Sequence, residues 1–523
     1  MILPPLVARV RAHGRRVAVV DGDGPHAYDE LAAAGERVAR TLLAERADLD
    51  EDRVAFLCPP GFSYVATLLG IWRAGGVAVP LCASHPPPEL AYALAETGAR
   101  LVLAHDRFAD RLAGPAREVG AELRPAGPLL AGGTGTPGDR EAPGPPDPAG
   151  PEPASRRALI LFTSGTTGRP KGAVTTHGNL EAQVRTLEEA WGWRREDRIL
   201  HVLPLHHTHG IVNVLLCALW AGATCDMLDG FDAEAVWDRL CDGQLTLFMA
   251  VPTIYVKLIR SWEAAPEAVR AARSRACRGL RLMVSGSAAL PAGVLARWEE
   301  ISGHRLLERY GMTEIGMALS NPLEGERRAG SVGRPLPSVE VRLVDEAGAE
   351  VREEGRSGQI EVRGPGVFLE YWGRPEETRA AFGPDGWFRT GDEAVLEDGY
   401  YRILGRRSVD IIKTGGYKVS ALEIEEALRD RRDVAECAVV GVPDPEWGER
   451  VCAAVVPAAT GDAPSLEEIR AWGRERLAPY KLPSRLIVVG DLPRNVMGKV
   501  MKPDVRDLFE ADAPENPKTS EGT

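Results

Sequence analysis

The chain has 523 residues, more than one hydrophobic core organises, so two or more domains are expected. An apolar fraction of 44% fits a folded globular protein and excludes wholesale disorder. The formal net charge of −12 argues against non-specific binding to nucleic acid or an anionic membrane, so a phosphate-bearing ligand needs a local basic pocket.

Eight cysteines are scattered with no C-x-x-C pair, which points to reduced thiols rather than a disulfide framework or a zinc site. Apolar runs such as residues 211–219 are too short to span a bilayer. The opening segment carries Arg9, Arg11, Arg15 and Arg16 but runs at once into a strand-like stretch at 17–21 and a helix-like one at 28–46. The N-terminus therefore reads as part of the fold instead of a transit peptide, and the expected location is cytoplasmic.

Over residues 1–125 strand-like runs (54–57, 77–81, 101–104) alternate with helical ones such as 62–74, the signature of a parallel sheet flanked by helices. Residues 126–157 are rich in Gly, Pro and Ala with almost no large apolar groups, and read as a flexible surface insertion. Alternation resumes at 158–162 and continues past residue 330. Between 330 and 405 short strands (339–344, 359–362, 400–404) are separated by Gly and Asp turns, as in a mostly antiparallel, β-rich subdomain. After Arg406 a smaller α+β unit is expected, with helices at 421–429 and 466–477 and strands at 435–442, 451–457 and 486–489. The expected class is α/β, and the polar residues 511–523 read as a disordered tail.

The sharpest local signal is Thr163-Ser-Gly-Thr-Thr-Gly-Arg-Pro-Lys171-Gly172, directly after an apolar strand-like run. Gly165, Gly168 and Gly172 let the backbone turn tightly and aim its N–H groups inward, while Ser164, Thr166 and Thr167 add hydroxyl donors. Lys171 supplies a positive charge for phosphate oxygens. The pattern is not the Walker loop, since here the lysine follows proline. An ordinary Gly/Ser/Thr-rich turn is the plain alternative; ten residues of this density after a strand read as a phosphate clasp.

With that loop the sequence resembles the adenylate-forming superfamily of acyl-CoA synthetases, luciferases and peptide-synthetase adenylation domains. The resemblance continues through Ser285-Gly-Ser-Ala-Ala-Leu-Pro291, Arg309-Tyr-Gly-Met-Thr-Glu314, Arg389-Thr-Gly-Asp392, Gly405-Arg406, Lys413-Thr-Gly-Gly-Tyr-Lys-Val419 and Pro493-Arg-Asn-Val-Met-Gly-Lys499. These motifs follow the superfamily's order and cover nearly the whole chain outside 126–157. The resemblance implies a large AMP- and acyl-binding domain over 1–405, a hinge at 406–410 and a small mobile C-terminal domain over 411–510. It also implies a two-step reaction: a carboxylate attacks the α-phosphorus of ATP, and coenzyme A then displaces AMP from the acyl-adenylate. Such chemistry asks for positioning and charge stabilisation more than for covalent catalysis.

In that resemblance nucleotide contacts fall to Thr163, Ser164, Gly165, Thr166, Thr167, Gly168, Lys171, Ser287, Tyr310 and Gly311, with Tyr310 stacked on adenine. Asp392 would accept hydrogen bonds from both ribose hydroxyls, and Arg406 would contact ribose or phosphate. Glu314, with Thr313 beside it and Thr166 from the loop, would hold the Mg²⁺ that accompanies ATP; hard oxygen ligands suit that ion. Lys499 matches the lysine that bridges the carboxylate and the α-phosphate. In the second half-reaction a rotated C-terminal domain would bring Lys413, Gly415, Gly416 and Tyr417 to line the coenzyme A tunnel; a plain hairpin turn is the alternative. Arg407-Ser-Val-Asp410 is one residue longer than the usual stretch, so the hinge residue falls somewhere in 407–410.

Within the superfamily the closest resemblance is to malonyl-CoA synthetases. It rests on Leu203-Pro-Leu-His-His-Thr-His-Gly210, Val251-Pro-Thr-Ile-Tyr-Val-Lys257 and residues 281–291, 307–320 and 408–420. A dicarboxylate such as malonate or methylmalonate must have its second carboxylate desolvated, which demands a cation or several donors. Candidates are Lys257, Arg281 and Ser285, with His207 at the acyl pocket or its gate and Met312 on its floor or simply packed. Lys257 stands where some of these synthetases carry Arg, exchanging a bidentate fork for a point charge. The cluster His201, His206, His207 and His209 raises a metal reading, but no acidic or Cys partner is suitably spaced in the sequence. Rival readings are a short- or medium-chain fatty acyl-CoA ligase, an enzyme loading a carrier protein, and a degenerate acyl-AMP-binding protein. Expected partners are ATP, coenzyme A and a small acid, with no nucleic acid or membrane, in a monomer or homodimer.

Overall fold

A computed structural model describes residues 3–130, 153–163, 170–415, 417–444, 447–458, 463–494 and 499–511. The chain divides into two compact units: residues 1–342 with 361–389 and 399–401, and residues 343–360 and 390–398 with 402–523.

The first unit contains two large sheets. In one, six parallel strands lie side by side in the order Leu307–Met312, Leu282–Ser285, Leu247–Ala250, Arg198–His201, Thr224–Met227 and Val17–Asp21. Antiparallel strands close its edges, Gly24–Ala27 at one side and Gly316–Ser320 with Arg334–Pro335 at the other. In the second sheet Arg157–Thr163, Val77–Pro80, Arg53–Leu57, Leu101–Ala104 and Glu122–Pro125 are parallel. Helices such as Tyr28–Leu43, Phe62–Arg73, Ala233–Cys241 and Pro252–Ala264 connect the strands. The central strands are continuous apolar runs, as sheets covered on both faces require. Trp72, Trp191, Trp237 and Trp298 are fully buried among them, and the Trp72 indole N–H donates to Ala158 O at 2.6 Å.

The alternation read from residues 1–125 thus resolves into two sheets. Val17–Asp21 pairs with Thr224–Met227, far along the chain, and not with the nearby Arg53–Leu57. The ends of the 126–157 segment are docked elements. Gly127–Leu130 is a helical turn whose Leu130 carbonyl accepts from Arg37, and Pro153–Ser155 is a short 3₁₀ turn. The remainder of that segment, 131–152, lies outside the described residues, as does the tail from 512.

Four β-strands, Glu340–Val344, Gly358–Arg363, Phe388–Glu397 and Tyr400–Arg406, follow one another across a separate sheet. The second unit is built on the order Tyr417–Ser420, Ile411–Thr414, Gly448–Pro457 and Val434–Asp444, with Arg485–Val488 parallel to Gly448–Pro457. Helices Ala421–Arg429, Leu466–Arg474 and Lys502–Ala511 accompany it. The whole is an α/β fold with a β-rich subdomain and a smaller C-terminal part. Among the described residues no helix is long and apolar enough to cross a membrane.

Candidate active site

Ligands of parallel α/β sheets bind at the carboxyl ends of the strands, where loops diverge. At that end of the first sheet, Arg198–His201 leads into the loop 202–208 and then into His209–Leu216, a helix wound in π register. Such turns are rare and concentrate at functional sites, because the wide winding displaces side chains from their α-helical positions. The loop closes tightly: the His201 imidazole Nε2 lies 2.9 Å from Gly210 O, and a Cβ at Gly210 would lie 2.4 Å from Pro204 O. Only glycine fits there.

Two strands along the sheet, beyond Leu247–Ala250, Leu282–Ser285 ends in Gly286 and Ser287. A Cβ at Gly286 would meet the Arg309 guanidinium carbon at 2.6 Å, so glycine lets that charge pack against the backbone. Ser287 holds a left-handed φ of 71°, a conformation that costs a non-glycine residue on the order of 1 kcal/mol. Its Oγ sits 3.2 Å from His209 Nδ1 and 3.3 Å from Arg309 Nη2. Arg309 is buried, and desolvation lowers its pKa to about 10.

Several buried polar atoms at this end have no hydrogen-bond partner among the described residues: Ser285 Oγ, His207 Nε2, His209 Nε2, Asn213 Nδ2 and Oδ1, and Arg309 Nε. An unmade buried hydrogen bond costs about 1–3 kcal/mol, so a group of them marks a surface shaped for a polar ligand. Burial also lowers the His207 pKa to about 4 and holds His209 well below its ordinary value, so both imidazoles are neutral at physiological pH.

Lys257, on helix Pro252–Ala264, is exposed, with its ammonium 5.5 Å from the Phe231 ring centroid. Phe231 follows strand Thr224–Met227, so this cation stands at the same end of the sheet. Arg281 does not join the set. It precedes Leu282–Ser285 at the amino end, where its Nε donates to Asp197 Oδ1 at 2.7 Å and its Nη1 donates to Trp191 O at 3.0 Å. The expectation that Arg281 binds the acid is therefore corrected: Arg281 and Ser285 terminate opposite ends of one strand.

The hairpin formed by Leu307–Met312 and Gly316–Ser320 carries Tyr310, Gly311 and Met312 on one arm, with Thr313 and Glu314 at its tip. Tyr310 to Thr313 are half-buried and Glu314 is buried. Tyr371 Oη donates to Glu314 Oε1 at 2.9 Å, and the Phe368 amide donates to Glu314 O at 2.7 Å. Thr163 and Lys171 are register partners in the antiparallel pair Arg157–Thr163 and Lys171–Thr176, so the glycine-rich loop closes a hairpin. Ser164, Gly165, Thr166, Thr167 and Gly168 lie outside the described residues. The Lys171 ammonium is ion-paired with Glu377 and lies 5.1 Å from the Tyr371 ring centroid. Tyr371 therefore links the base of the loop to Glu314, which sequence reasoning missed. It missed Arg309 and Asn213 as well; a buried arginine opening a glycine-containing motif was the only available signal.

In the second unit Arg406 Nη1 lies 3.7 Å from Asp392 Oδ1, and Gly391, with φ of 78°, keeps the backbone clear of that guanidinium. Thr390 Oγ1 accepts from the Asp392 amide at 3.1 Å. Lys413 and Gly415 sit in the hairpin Ile411–Thr414 with Tyr417–Ser420, while Gly416 lies outside the described residues. The Tyr417 ring is exposed and stacks on Tyr480 at 4.2 Å. Lys499 is exposed, next to the bridge between Arg494 and Val500.

The model of the AMP-binding enzyme family matches residues 6–372, and that of the AMP-binding enzyme C-terminal domain matches 423–499. The chain belongs to the AMP-binding enzyme family. Within this family it is 47% identical to the mitochondrial malonate–CoA ligase ACSF3 of Mus musculus, over 96% of this chain and 90% of the relative. The structure of ATP-bound MatB from Rhodopseudomonas palustris superposes with a TM-score of 0.87 at 35% identity, covering 97% of this chain and 99% of that one. A malonyl-CoA ligase ternary product complex with methylmalonyl-CoA and AMP gives a TM-score of 0.67 at 38% identity, covering 94% and 100%.

Proposed function

We propose that this chain is a malonate–CoA ligase that adenylates malonate with ATP and passes the malonyl group to coenzyme A. The observation that carries this reading is the near-full-length relation to the murine malonate–CoA ligase. The unpartnered donors on Ser285, His207 and Arg309, with the Lys257 cation at the same end of the sheet, support it. A dicarboxylate supplies the anionic oxygens that such donors need. Methylmalonate fits the same requirement.

In the first step a malonate oxygen attacks the α-phosphorus and the bond to pyrophosphate breaks. Lys499 bridges the attacking carboxylate and the α-phosphate, offsetting charge that grows in the transition state. The loop from Thr163 to Lys171 holds the phosphates, Lys171 exchanging Glu377 for a phosphate oxygen. Tyr310 stacks on adenine, Gly311 and Ser287 contact the nucleotide, and Asp392 and Arg406 hold the ribose. Neutral His207 and the Ser285 hydroxyl donate to malonate, with Met312 beneath its methylene. The Glu314 carboxylate, buried and oriented by Tyr371, is a hard oxygen donor that fits Mg²⁺ together with Thr313 and Thr166. When bound there, that ion draws charge from the ATP phosphates.

In the second step the coenzyme A thiolate attacks the acyl carbon, and AMP leaves with the electron pair of the broken C–O bond. Rotation at 406–410 brings Lys413, Gly415, Gly416 and Tyr417 to the thiol's approach path.

The test is pyrophosphate release with ATP, Mg²⁺ and coenzyme A across malonate, methylmalonate, succinate, acetate, butyrate and octanoate. A malonate lead of about 100-fold, the value of one charge-assisted interaction, supports the reading. A leading monocarboxylate makes the chain a short- or medium-chain fatty acyl-CoA ligase, and no release with any acid removes the enzyme reading.

A further inference from the structure

Cys82 and His85 follow strand Val77–Pro80 in the second sheet, and His206 lies in the loop after Arg198–His201 in the first. The fold brings the three together in one unit: the Cys82 sulfur and one ring nitrogen of each histidine all lie within 4.8 Å of one another. The local chain shapes half of the cluster, because a turn in which the His85 amide donates to Cys82 O at 3.2 Å sets a C-x-x-H spacing. Cys82 is a free thiol and is buried. Glu89 Oε2 lies 3.5 Å from His85 Nδ1, adding a carboxylate that serves as a fourth ligand or orients the imidazole.

From these positions we propose that Cys82, His85 and His206 form a binding site for a borderline-soft divalent cation of the Zn²⁺ class, and that filling it slows the ligase. One thiolate and two imidazoles are the donor set such an ion prefers, whereas Mg²⁺ and Ca²⁺ take oxygen ligands. In a tetrahedral zinc site, ligand atoms stand roughly 3.3–3.6 Å apart, given metal–ligand distances near 2.0–2.3 Å. The three atoms, within 4.8 Å of one another, need to close by little more than an ångström to reach that spacing. The Cys82 sulfur now pairs with Ser84 Oγ at 3.0 Å, a contact that the metal replaces.

The effect on turnover follows from position and rests on the ligase reading; the binding itself does not. The His206 and His207 ring centroids are 4.0 Å apart, so an ion on His206 pins the loop that presents His207 to the acid. Cys82 and His85 lie apart in the chain from every residue assigned a role above.

The experiment uses the full chain, reduced and stripped of metal, titrated with Co²⁺ and then Zn²⁺. One equivalent of Co²⁺ is expected to give a thiolate-to-cobalt charge-transfer band, which Zn²⁺ abolishes. Cys82→Ala removes the band, and His85→Ala and His206→Ala weaken Zn²⁺ binding by on the order of 100-fold. Zn²⁺ slows pyrophosphate release by the wild type and not by Cys82→Ala or His85→Ala at the same concentration. Thermal melts confirm that each variant is folded, and Cys241→Ala, which removes an exposed thiol outside the cluster, retains the band. No band, a band that survives Cys82→Ala, or equal inhibition of wild type and variants overturns the proposal. A chain that releases no pyrophosphate with any acid yet shows the band loses the ligase reading and keeps the metal site.

Discussion

Lys502 Nζ lies 2.6 Å from Asp410 Oδ1 and 2.7 Å from Glu425 Oε1. Both partners belong to the second unit with it, Asp410 ending the 407–410 turn and Lys502 following Lys499 by one short segment. Asp410 also accepts from the Arg406 amide at 2.9 Å, and Glu425 accepts from the Val439 amide at 2.9 Å. A single buried cation thus ties the turn expected to act as hinge to the segment that carries Lys499.

Removing Lys502 leaves the buried Glu425 carboxylate and the half-buried Asp410 carboxylate without their shared cation. Lys502→Ala should destabilise the folded state by about 3–5 kcal/mol, the cost of stranding one side of a buried pair. Burial tends to lower its pKa, yet the carboxylates outweigh burial and hold it above the ordinary 10.5. Its contribution is therefore intact below that value and fades as pH rises through the raised one. Denaturant melts of wild type and variant measure the difference; a loss under 1 kcal/mol would show that the triad is solvated.

Burial opposes protonation of two histidines in the first unit, lowering His177 to about 3 and His201 to about 4. Below the ordinary value of 6.5 the unfolded chain binds protons that the folded one refuses, so stability falls as pH drops. Each contributes up to about 1.4 kcal/mol per pH unit between 6.5 and its folded value. His177→Gln should flatten the decline in melting temperature below pH 6.5. An unchanged slope would mean that the carboxylates carry all of it.

Arg281→Ala should cost about 3–5 kcal/mol by stranding Asp197, while leaving the malonate-to-propionate ratio of kcat/KM within about 3-fold. A selective loss of malonate turnover would return Arg281 to the acid site. Its misplacement shows where sequence reading stops. Val17–Asp21, Leu101–Ala104 and helix Ala421–Arg429 were legible residue for residue, because local periodicity and turn residues fix them. Which end of a strand meets the ligand was not. Arg281 and Ser285, four residues apart, sit roughly 13 Å apart along an extended strand. The Tyr371–Glu314 bond and the Cys82–His206 approach were equally invisible, since both join segments that only the tertiary fold brings together.

Lys257→Ala should lower kcat/KM for malonate by on the order of 10–100-fold and leave propionate nearly unchanged, since a charge-assisted interaction is worth about 1.5–3 kcal/mol. The ammonium is exposed beside Phe231, so removal leaves no buried charge and the fold should hold. Lys257→Arg should retain or improve malonate turnover, because a guanidinium engages a carboxylate through two parallel hydrogen bonds. An equal loss for both acids would take Lys257 out of the acid-binding site.

Lys499→Ala separates the half-reactions. In the proposed role the lysine offsets charge that develops during attack at phosphorus, so pyrophosphate release should fall by on the order of 10²–10³. Thioester formation from supplied malonyl-AMP has no such charge to offset and should proceed at close to the wild-type rate. Lys499 is exposed, so its truncation should leave the fold intact, and a melting curve checks this directly. Equal loss in both halves would assign Lys499 to nucleotide binding, because AMP is common to both steps. Selective loss of the first half fixes it on the attacking carboxylate and the α-phosphate.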